Sequence, residues 1–233
     1  MELVLIPGFW LDASSWDEVA PTLREAGHTV TAVTLPGLTA GADRSGITLR
    51  DHIDAVVAIV DSLASEGRGP IVLVGHSGGG TVAHGVADAR PETIARIIYA
   101  DSGPSPDGAN INDSLPVVDG EIPLPDWSVF DESSLVDMTD EIRAAFRARA
   151  IPLPARVASD PLELSDPRRY DVPVTLITCE FPKDQMLAMM AEGHPYFAEL
   201  AAVKHYDIVD LPTGHWPQFT KPKELAAAIL AAL

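Results

Sequence analysis

The stretch IVLVGHSGGGTVAHGV, residues 71–86, decides how this chain folds. Its first four residues are apolar and predict a buried strand, and the small residues after the turn predict a helix over 78–89. Between the strand and the helix lies the turn GHSGGG, which contains four glycines. A turn of this kind either cradles a phosphate group or exposes one side chain, here that of Ser77.

Neither phosphate-binding motif fits this turn. The dinucleotide fingerprint G-x-G-x-x-G needs a glycine where the chain has Ser77. A P-loop needs a lysine directly after its last glycine, and here Gly80 is followed by Thr81. Residues 75–79 instead match G-x-S-x-G, in which the flanking glycines let strand and helix approach each other around a strained serine. The pattern predicts that Ser77 is a nucleophile, and an ordinary helix-capping serine is the alternative.

The rest of the chain alternates short apolar runs with segments of helical period. Most of the runs lack polar alternation, which is typical of strands covered by helices on both faces. The alternation predicts the α/β class, with a doubly wound, mostly parallel sheet and right-handed crossovers. The predicted strands are Leu3–Ile6, Thr29–Val33, Ile71–Val74, Ile94–Ala100, Val174–Cys179 and Tyr206–Leu211. The predicted helices are Ser15–Ala26 with Pro21 near its middle or at a break, Leu49–Ser65 with Thr48 as its cap, Gly78–Ala89, Asp184–Val203 and Pro222–Leu233.

Residues 103–170 do not follow this alternation of strands and helices. The segment has no convincing strand, proline recurs often, acidic residues are dense, and its clearest helix is Asp140–Ala150. A structureless loop of this length is abnormal inside a compact domain. We therefore expect one domain with its core in residues 1–102 and 171–233, and a mostly helical insertion over 103–170 that caps the ligand crevice. A peripheral packing element without a functional role is the alternative.

Composition restricts the partners and the compartment. The chain of 233 residues has 16 Lys+Arg against 34 Asp+Glu, a formal charge of −18, which argues against nucleic acid or an anionic membrane surface. Cys179 is the only cysteine, so no intrachain disulfide can form. The first residues, MELVLIPG, lack the basic segment of a signal peptide, and no apolar run is long enough to span a bilayer. We expect a cytoplasmic protein, a monomer or a homodimer.

A serine hydroxyl needs a base, and His215 is the best candidate among the seven histidines. It lies in LPTGHWPQF, directly after the last predicted strand, at the sheet edge where α/β proteins build their sites. His76 is adjacent to Ser77, and neighbouring residues do not easily meet in the required geometry. The histidines are scattered and there is no H-E-x-x-H motif, so no metal is implied.

Four short motifs resemble those of the α/β-hydrolase superfamily along essentially the whole chain. They are LIPGFW, LPG, VGHSGGG and GHWPQF, which begin at residues 5, 35, 74 and 214. The stretches GFWLDASSWDEVAPTLREAGHTV and IIYADSGPSPDG further resemble the branch of small esterases and hydroxynitrile lyases that includes plant methyl-ester hydrolases. The resemblance implies the α/β-hydrolase fold, a Ser-His-acid triad and no cofactor.

The same resemblance assigns supporting residues. It implies that the backbone N–H groups of Gly78 and Phe9 form an oxyanion hole, although the family's usual His-Gly in this loop is Pro7-Gly8 here. Trp10, His76 and Trp216 are the candidate residues of a substrate pocket, and aromatic side chains at such places also commonly belong to the core.

The position of the triad acid departs from the family pattern. The family usually has an aspartate a few residues after the strand predicted at Val174–Cys179, where this chain has Pro182. Three other residues could supply the triad acid: Asp101 at the end of the preceding strand, Glu180 and Asp184. We favour Asp101, with Glu180 next, because some hydrolases of this fold carry their acid one strand earlier.

The sequence therefore predicts a carboxylic ester hydrolase that acts on small apolar molecules through an acyl-enzyme. Two alternatives share the same residues. One is a lyase or a cofactor-free enzyme that cleaves carbon–carbon bonds, although hydroxynitrile lyases of this branch have lysine where Trp216 stands. The other is a non-catalytic receptor for small molecules, since a fold does not determine a function.

Overall fold

A parallel six-stranded sheet forms the centre of the protein in the computed structural model, which describes residues 1–233. The strands of the chain are β1 Glu2–Ile6, β2 Thr29–Ala32, β3 Ile71–His76, β4 Ile94–Ala100, β5 Glu121–Ile122, β6 Leu153–Pro154, β7 Val174–Thr178 and β8 Tyr206–Asp210. The spatial order of the six-stranded sheet is β2-β1-β3-β4-β7-β8, and every neighbouring pair is parallel. The α/β class with a doubly wound sheet is thus confirmed.

Helices cover both faces of the sheet. Successive residues of β1 point to opposite faces, so that Leu3 and Leu5 pack in one cluster and Val4 and Ile6 in the other. The helices are α1 Ala20–Glu25, α2 Leu49–Ser65, α3 Gly78–Ala89, α4 Asp140–Arg149, α5 Ala155–Ser159, α6 Lys183–Ala191, α7 Ala198–Ala202, α8 Pro217–Thr220 and α9 Pro222–Ala231. Helices α1 and α9 cover the first face, and α2 and α3 cover the second. None of these helices combines the length and the apolar character needed to cross a membrane.

Two predicted helices are interrupted in the structure. The predicted helix Ser15–Ala26 is a 3-10 turn, Ala13–Trp16, followed by α1 with a proline in its first turn. The predicted helix Asp184–Val203 is divided because Gly193 adopts a left-handed conformation, with φ of 72°, and Pro195 starts a new turn. Helix α2 begins as predicted, with Thr48 in a reciprocal capping box.

The insertion, residues 103–170, contains α4, α5 and short 3-10 turns. The expectation that it holds no strand is wrong, because β5 and β6 form a two-stranded antiparallel sheet in which Ile122 pairs with Leu153. The side chains of Ile122, Phe146 and Leu153 are buried in the same hydrophobic cluster as β1 and α3. The insertion therefore shares the core of the parallel sheet.

Candidate active site

Ser77 occupies the sharp turn between β3 and α3. Its φ of 51° and ψ of −127° lie outside the regions that L-residues favour, a conformation that costs about 1–3 kcal/mol. Hydrogen bonds hold the turn on both sides: Ser77 N–H donates to the carbonyl of Ala100 at 3.2 Å, and Ser102 Oγ–H donates to the carbonyl of Ser77 at 2.7 Å. This strained and supported backbone projects the Ser77 side chain from the C-terminal edge of the sheet.

The flanking glycines are explained by close approach of the backbone. A Cβ atom at position 75 would lie 2.6 Å from the carbonyl oxygen of Gly79, and one at position 79 would lie 2.6 Å from that of Ile6. Both distances are shorter than real Cβ contacts, so β1, β3 and α3 meet only because these two residues have no side chain.

His215 lies beside Ser77, on the loop between β8 and α8. Its Nε2 is 2.8 Å from Ser77 Oγ. The insertion holds this loop, since His215 N–H donates to the carbonyl of Ser134 at 2.9 Å and Gly214 N–H donates to that of Val136 at 3.0 Å. The imidazole is therefore placed to take a proton from the serine hydroxyl.

Two carboxylates meet the other nitrogen of the imidazole. Asp101 Oδ2 is 2.6 Å and Glu180 Oε2 is 3.0 Å from His215 Nδ1. Asp101 is fixed by its second oxygen, which accepts the N–H groups of Cys179 at 2.9 Å and Glu180 at 3.2 Å. Asp184 lies in the first turn of α6 and has no hydrogen bond to His215. The structure thus brings two of the three predicted substitutes to the same histidine.

The proximity of these groups shifts their pKa values. Burial lowers the pKa of His215, but hydrogen bonds and negative charge from Asp101 and Glu180 outweigh it and raise the pKa to about 9. Burial raises the pKa of Asp101. Burial also raises that of Glu180, but His215, Ser134 and Asp101 outweigh it and lower the pKa to about 2. A positive charge on the imidazole is therefore strongly stabilised.

The predicted oxyanion-hole donors lie next to the nucleophile. Gly78 is the first residue of α3, so its N–H has no acceptor within the helix. Phe9 N–H has no protein acceptor. Its loop lies against the serine, because a Cβ atom on Gly8 would be 2.9 Å from Ser77 Cβ. Both N–H groups are thus available to an oxygen bound at this turn.

The predicted pocket residues do not line the cavity beside Ser77. Trp10 is buried with its Nε1–H donated to the carbonyl of Ile122 at 3.1 Å, and Trp216 is buried against the edge of the His215 ring. His76 is fully buried below the turn. Trp10 and Trp216 instead pack against aromatic side chains of the insertion, and His76 is hydrogen-bonded to the backbone carbonyl of His215.

The cavity beside Ser77 has a volume of about 790 Å³. One wall is the start of the insertion, residues 103–111, and the opposite wall comes from residues 181–200. The sequence analysis expected the insertion to cover the ligand crevice but named no residue of 103–111, although SGPSPDG begins two residues after β4 at the sheet edge where such sites form. It did not predict the wall formed by residues 181–200. The larger apolar side chains that line the cavity are Ile111, Leu176, Phe181, Met186, Met189, Phe197 and Leu200.

Asp101, Glu180 and His215 also form a group of potential metal ligands, with ligand atoms within 4.8 Å of one another. The hydrogen bonds to Nδ1 account for this arrangement without a cation, because each carboxylate already faces the N–H group of the imidazole.

Comparison with known proteins identifies the family to which this geometry belongs. The model of the alpha/beta hydrolase family matches residues 3–228. The chain belongs to this family. It is 29% identical to a carbendazim hydrolyzing esterase of Nocardioides over 98% of both chains, and 33% identical to Methylesterase 7 of Arabidopsis thaliana over 42% of this chain and 38% of that one. The resemblance to the methyl-ester-hydrolase branch is thereby confirmed.

The fold of this hydrolase agrees with solved structures. An extracellular alpha/beta-hydrolase from Paenibacillus superimposes with a TM-score of 0.77 at 25% identity, covering 100% of this chain and 98% of that one. That protein is described as sharing structural and functional homology with tobacco salicylic acid binding protein 2.

Proposed function

We propose that this hydrolase cleaves carboxylic esters of small, apolar molecules through an acyl-enzyme on Ser77. The observation that carries the proposal is the continuous hydrogen-bond path from Ser77 Oγ through His215 to Asp101, with lengths of 2.8 Å and 2.6 Å. Nucleophile, base and orienting acid in this order are the arrangement that activates a serine hydroxyl.

In the acylation step, Ser77 Oγ attacks the ester carbonyl carbon while His215 Nε2 takes the hydroxyl proton. The carbonyl oxygen becomes an oxyanion, which accepts hydrogen bonds from the N–H groups of Gly78 and Phe9, each worth about 3 kcal/mol in the transition state. His215 then gives its proton to the departing alcohol. Water then attacks the acyl carbon while His215 takes its proton, and His215 returns that proton to Ser77 Oγ as the bond to the serine breaks and the acid leaves.

Asp101 keeps the imidazole in the productive tautomer. Its Oδ2 accepts the Nδ1–H of His215, which leaves Nε2 free to accept the serine proton. The two backbone N–H groups on Oδ1 prevent the carboxylate from turning away. Its negative charge stabilises the imidazolium that forms in each transition state.

The cavity supports an uncharged, apolar substrate. Its lining includes no lysine or arginine, and the two carboxylates at its base disfavour an anionic group. The names of the relatives, an esterase and a methylesterase, support ester hydrolysis. The lyase alternative gains no support, because Trp216 is buried and offers no cation beside His215.

A serine-reactive fluorophosphonate and a panel of 4-nitrophenyl esters test this proposal. We expect labelling of Ser77 at one equivalent, no labelling of Ser77→Ala, and a fall in kcat of about 10⁶-fold in that variant. Ser105→Ala is the matched control, since Ser105 lines the same cavity and should leave labelling intact. Equal ester turnover by wild type and Ser77→Ala would contradict the proposal.

A further inference from the structure

We propose that Glu180 acts with Asp101 as a second carboxylate on His215, positioning the imidazole and setting the pH at which it becomes a base. This inference rests on the proposed function, because it concerns the same histidine. A triad needs only one acid, and here two acids from neighbouring strands, β4 and β7, converge on Nδ1.

The two acids differ in their distance from the histidine and in how firmly they are held. A neutral imidazole has a single hydrogen on Nδ1, and the carboxylate oxygens at 2.6 Å and 3.0 Å share it. Asp101 is the nearer acceptor and is fixed by backbone N–H groups, one of which belongs to Glu180 itself. A change at either acid therefore leaves the other within reach of the same nitrogen.

The insertion holds the histidine between the two acids. The backbone carbonyl of Ser134 accepts the N–H of His215 at 2.9 Å. One residue of the insertion thus fixes the backbone of the histidine that both carboxylates meet. The Glu180 side chain is 19% exposed, and it remains on the cavity side of the imidazole.

Two negative charges beside one imidazole favour its protonated form. An opposite charge within about 4–6 Å typically shifts a pKa by 1–3 units. Removing the Glu180 charge therefore lowers the pKa of His215, and the neutral, basic imidazole becomes available at lower pH. Three other titratable groups near the acids are uncharged at neutral pH: His76, Cys179 and Tyr196. The charged groups nearby are Lys221 and Asp137, whose carboxylate lies 3.7 Å from Lys221 Nζ.

Three variants separate the two acids: Glu180→Gln, Asp101→Asn and the double variant. In Glu180→Gln we expect the rising limb of kcat/KM against pH to move down by about one unit. In Asp101→Asn, Glu180 should preserve at least about tenfold more activity than the double variant, which should fall about 10⁴-fold below wild type. Glu192→Gln is the matched control, because it removes one exposed charge from the same segment.

Titration of the His215 imidazole by NMR in the Ser77→Ala background provides a readout that does not depend on turnover. We expect Glu180→Gln to lower the pKa of His215 and Glu192→Gln to leave it unchanged. Identical His215 titrations in the Ser77→Ala protein with and without Glu180→Gln would overturn the role of Glu180, as would equal activities of Asp101→Asn and the double variant. Failure of the proposed function is recognised separately, by ester turnover that persists in Ser77→Ala.

Discussion

His76 donates its Nε2–H to the backbone carbonyl of His215 at 2.7 Å, across 139 residues of sequence. Its Nδ1 lies 3.0 Å from Gln218 Nε2. Burial and the positive charge of His215 lower the pKa of His76 to about 3, so the ring is neutral and has one hydrogen. Because the carbonyl needs a donor, that hydrogen is on Nε2, and Nδ1 must accept from Gln218. These two hydrogen bonds hold the backbone of His215 in place next to the turn.

Gln218→Met should lower the catalytic rate without weakening the binding of substrate. The variant leaves His76 Nδ1 buried without a donor, which costs about 1–3 kcal/mol and loosens the bond to the His215 carbonyl. A displacement of about 1 Å in the base can cost about 100-fold, so we expect a lower kcat with KM nearly unchanged. Steady-state kinetics and urea unfolding measure both effects. Gln185→Met, an exposed change on α6, is the control, and a Gln218→Met enzyme with wild-type kcat would contradict this role.

The proximity of the proposed nucleophile and the proposed base could be predicted because their sequence signals are local. Ser77 lies between a strand and a helix in a glycine pattern whose steric reason is visible in the sequence, and His215 directly follows the last strand. Parallel strands end at one edge of a sheet, so residues at two such ends are expected to meet. The structure brings them together at 2.8 Å.

The cavity and the shared acids depend on features that sequence patterns do not contain. Trp10 adopts a φ of 64°, and its indole is donated to the carbonyl of Ile122 in the insertion instead of facing the nucleophile. Asp101 also has a positive φ, of 44°. Its carboxylate accepts the backbone N–H of Cys179, the residue that follows β7. Such turns result from long-range packing. The sequence therefore left Asp101 and Glu180 as alternatives, whereas in the structure both carboxylates lie within hydrogen-bond distance of His215 Nδ1.

Ile111→Trp should make the enzyme selective for smaller esters. Ile111 lines the cavity close to the nucleophile, since a Cβ on Gly78 would lie 3.3 Å from its Cγ2. A larger ring there reduces the space for the substrate. We expect kcat/KM for 4-nitrophenyl octanoate to fall by about tenfold or more, corresponding to about 1.4 kcal/mol, while that for the acetate changes little. Val117→Trp is the exposed control on the same segment, and a parallel loss for both esters would contradict the placement of the substrate.

Glu199 should contribute stability that is lost in acid. This buried carboxylate on α7 accepts from Arg169 at 2.9 Å and meets His84 Nε2 at 3.1 Å, so it ties one wall of the cavity to α3. Burial raises its pKa, but these partners outweigh burial and hold the pKa below the usual 4.5. The contribution is therefore present above about pH 4.5 and disappears as the pH falls through the lowered pKa.

The variant Glu199→Gln leaves the buried guanidinium of Arg169 with a weaker partner. We expect a loss of about 3 kcal/mol in the free energy of unfolding at pH 7, and a gap to wild type that narrows below pH 4.5. Urea unfolding between pH 3 and pH 7 measures this difference, with the exposed Glu163→Gln as control. A gap that stays constant with pH would show that the charge of Glu199 is not what stabilises the wall.

Gly80, the last glycine of the turn, makes room for Ser102, and a double-mutant cycle can demonstrate this. A Cβ atom on Gly80 would clash with Ser102 Oγ and lie 2.9 Å from Ser102 Cβ, and this hydroxyl holds the carbonyl of Ser77. Gly80→Ala should destabilise the protein by about 1–3 kcal/mol and slow the labelling of Ser77, because the strained turn loses its support. Ser102→Gly removes both clashing atoms, so in its background Gly80→Ala should cost at least about 1 kcal/mol less. Strictly additive losses in the unfolding free energies would mean that Gly80 is required by another neighbour, such as Tyr99.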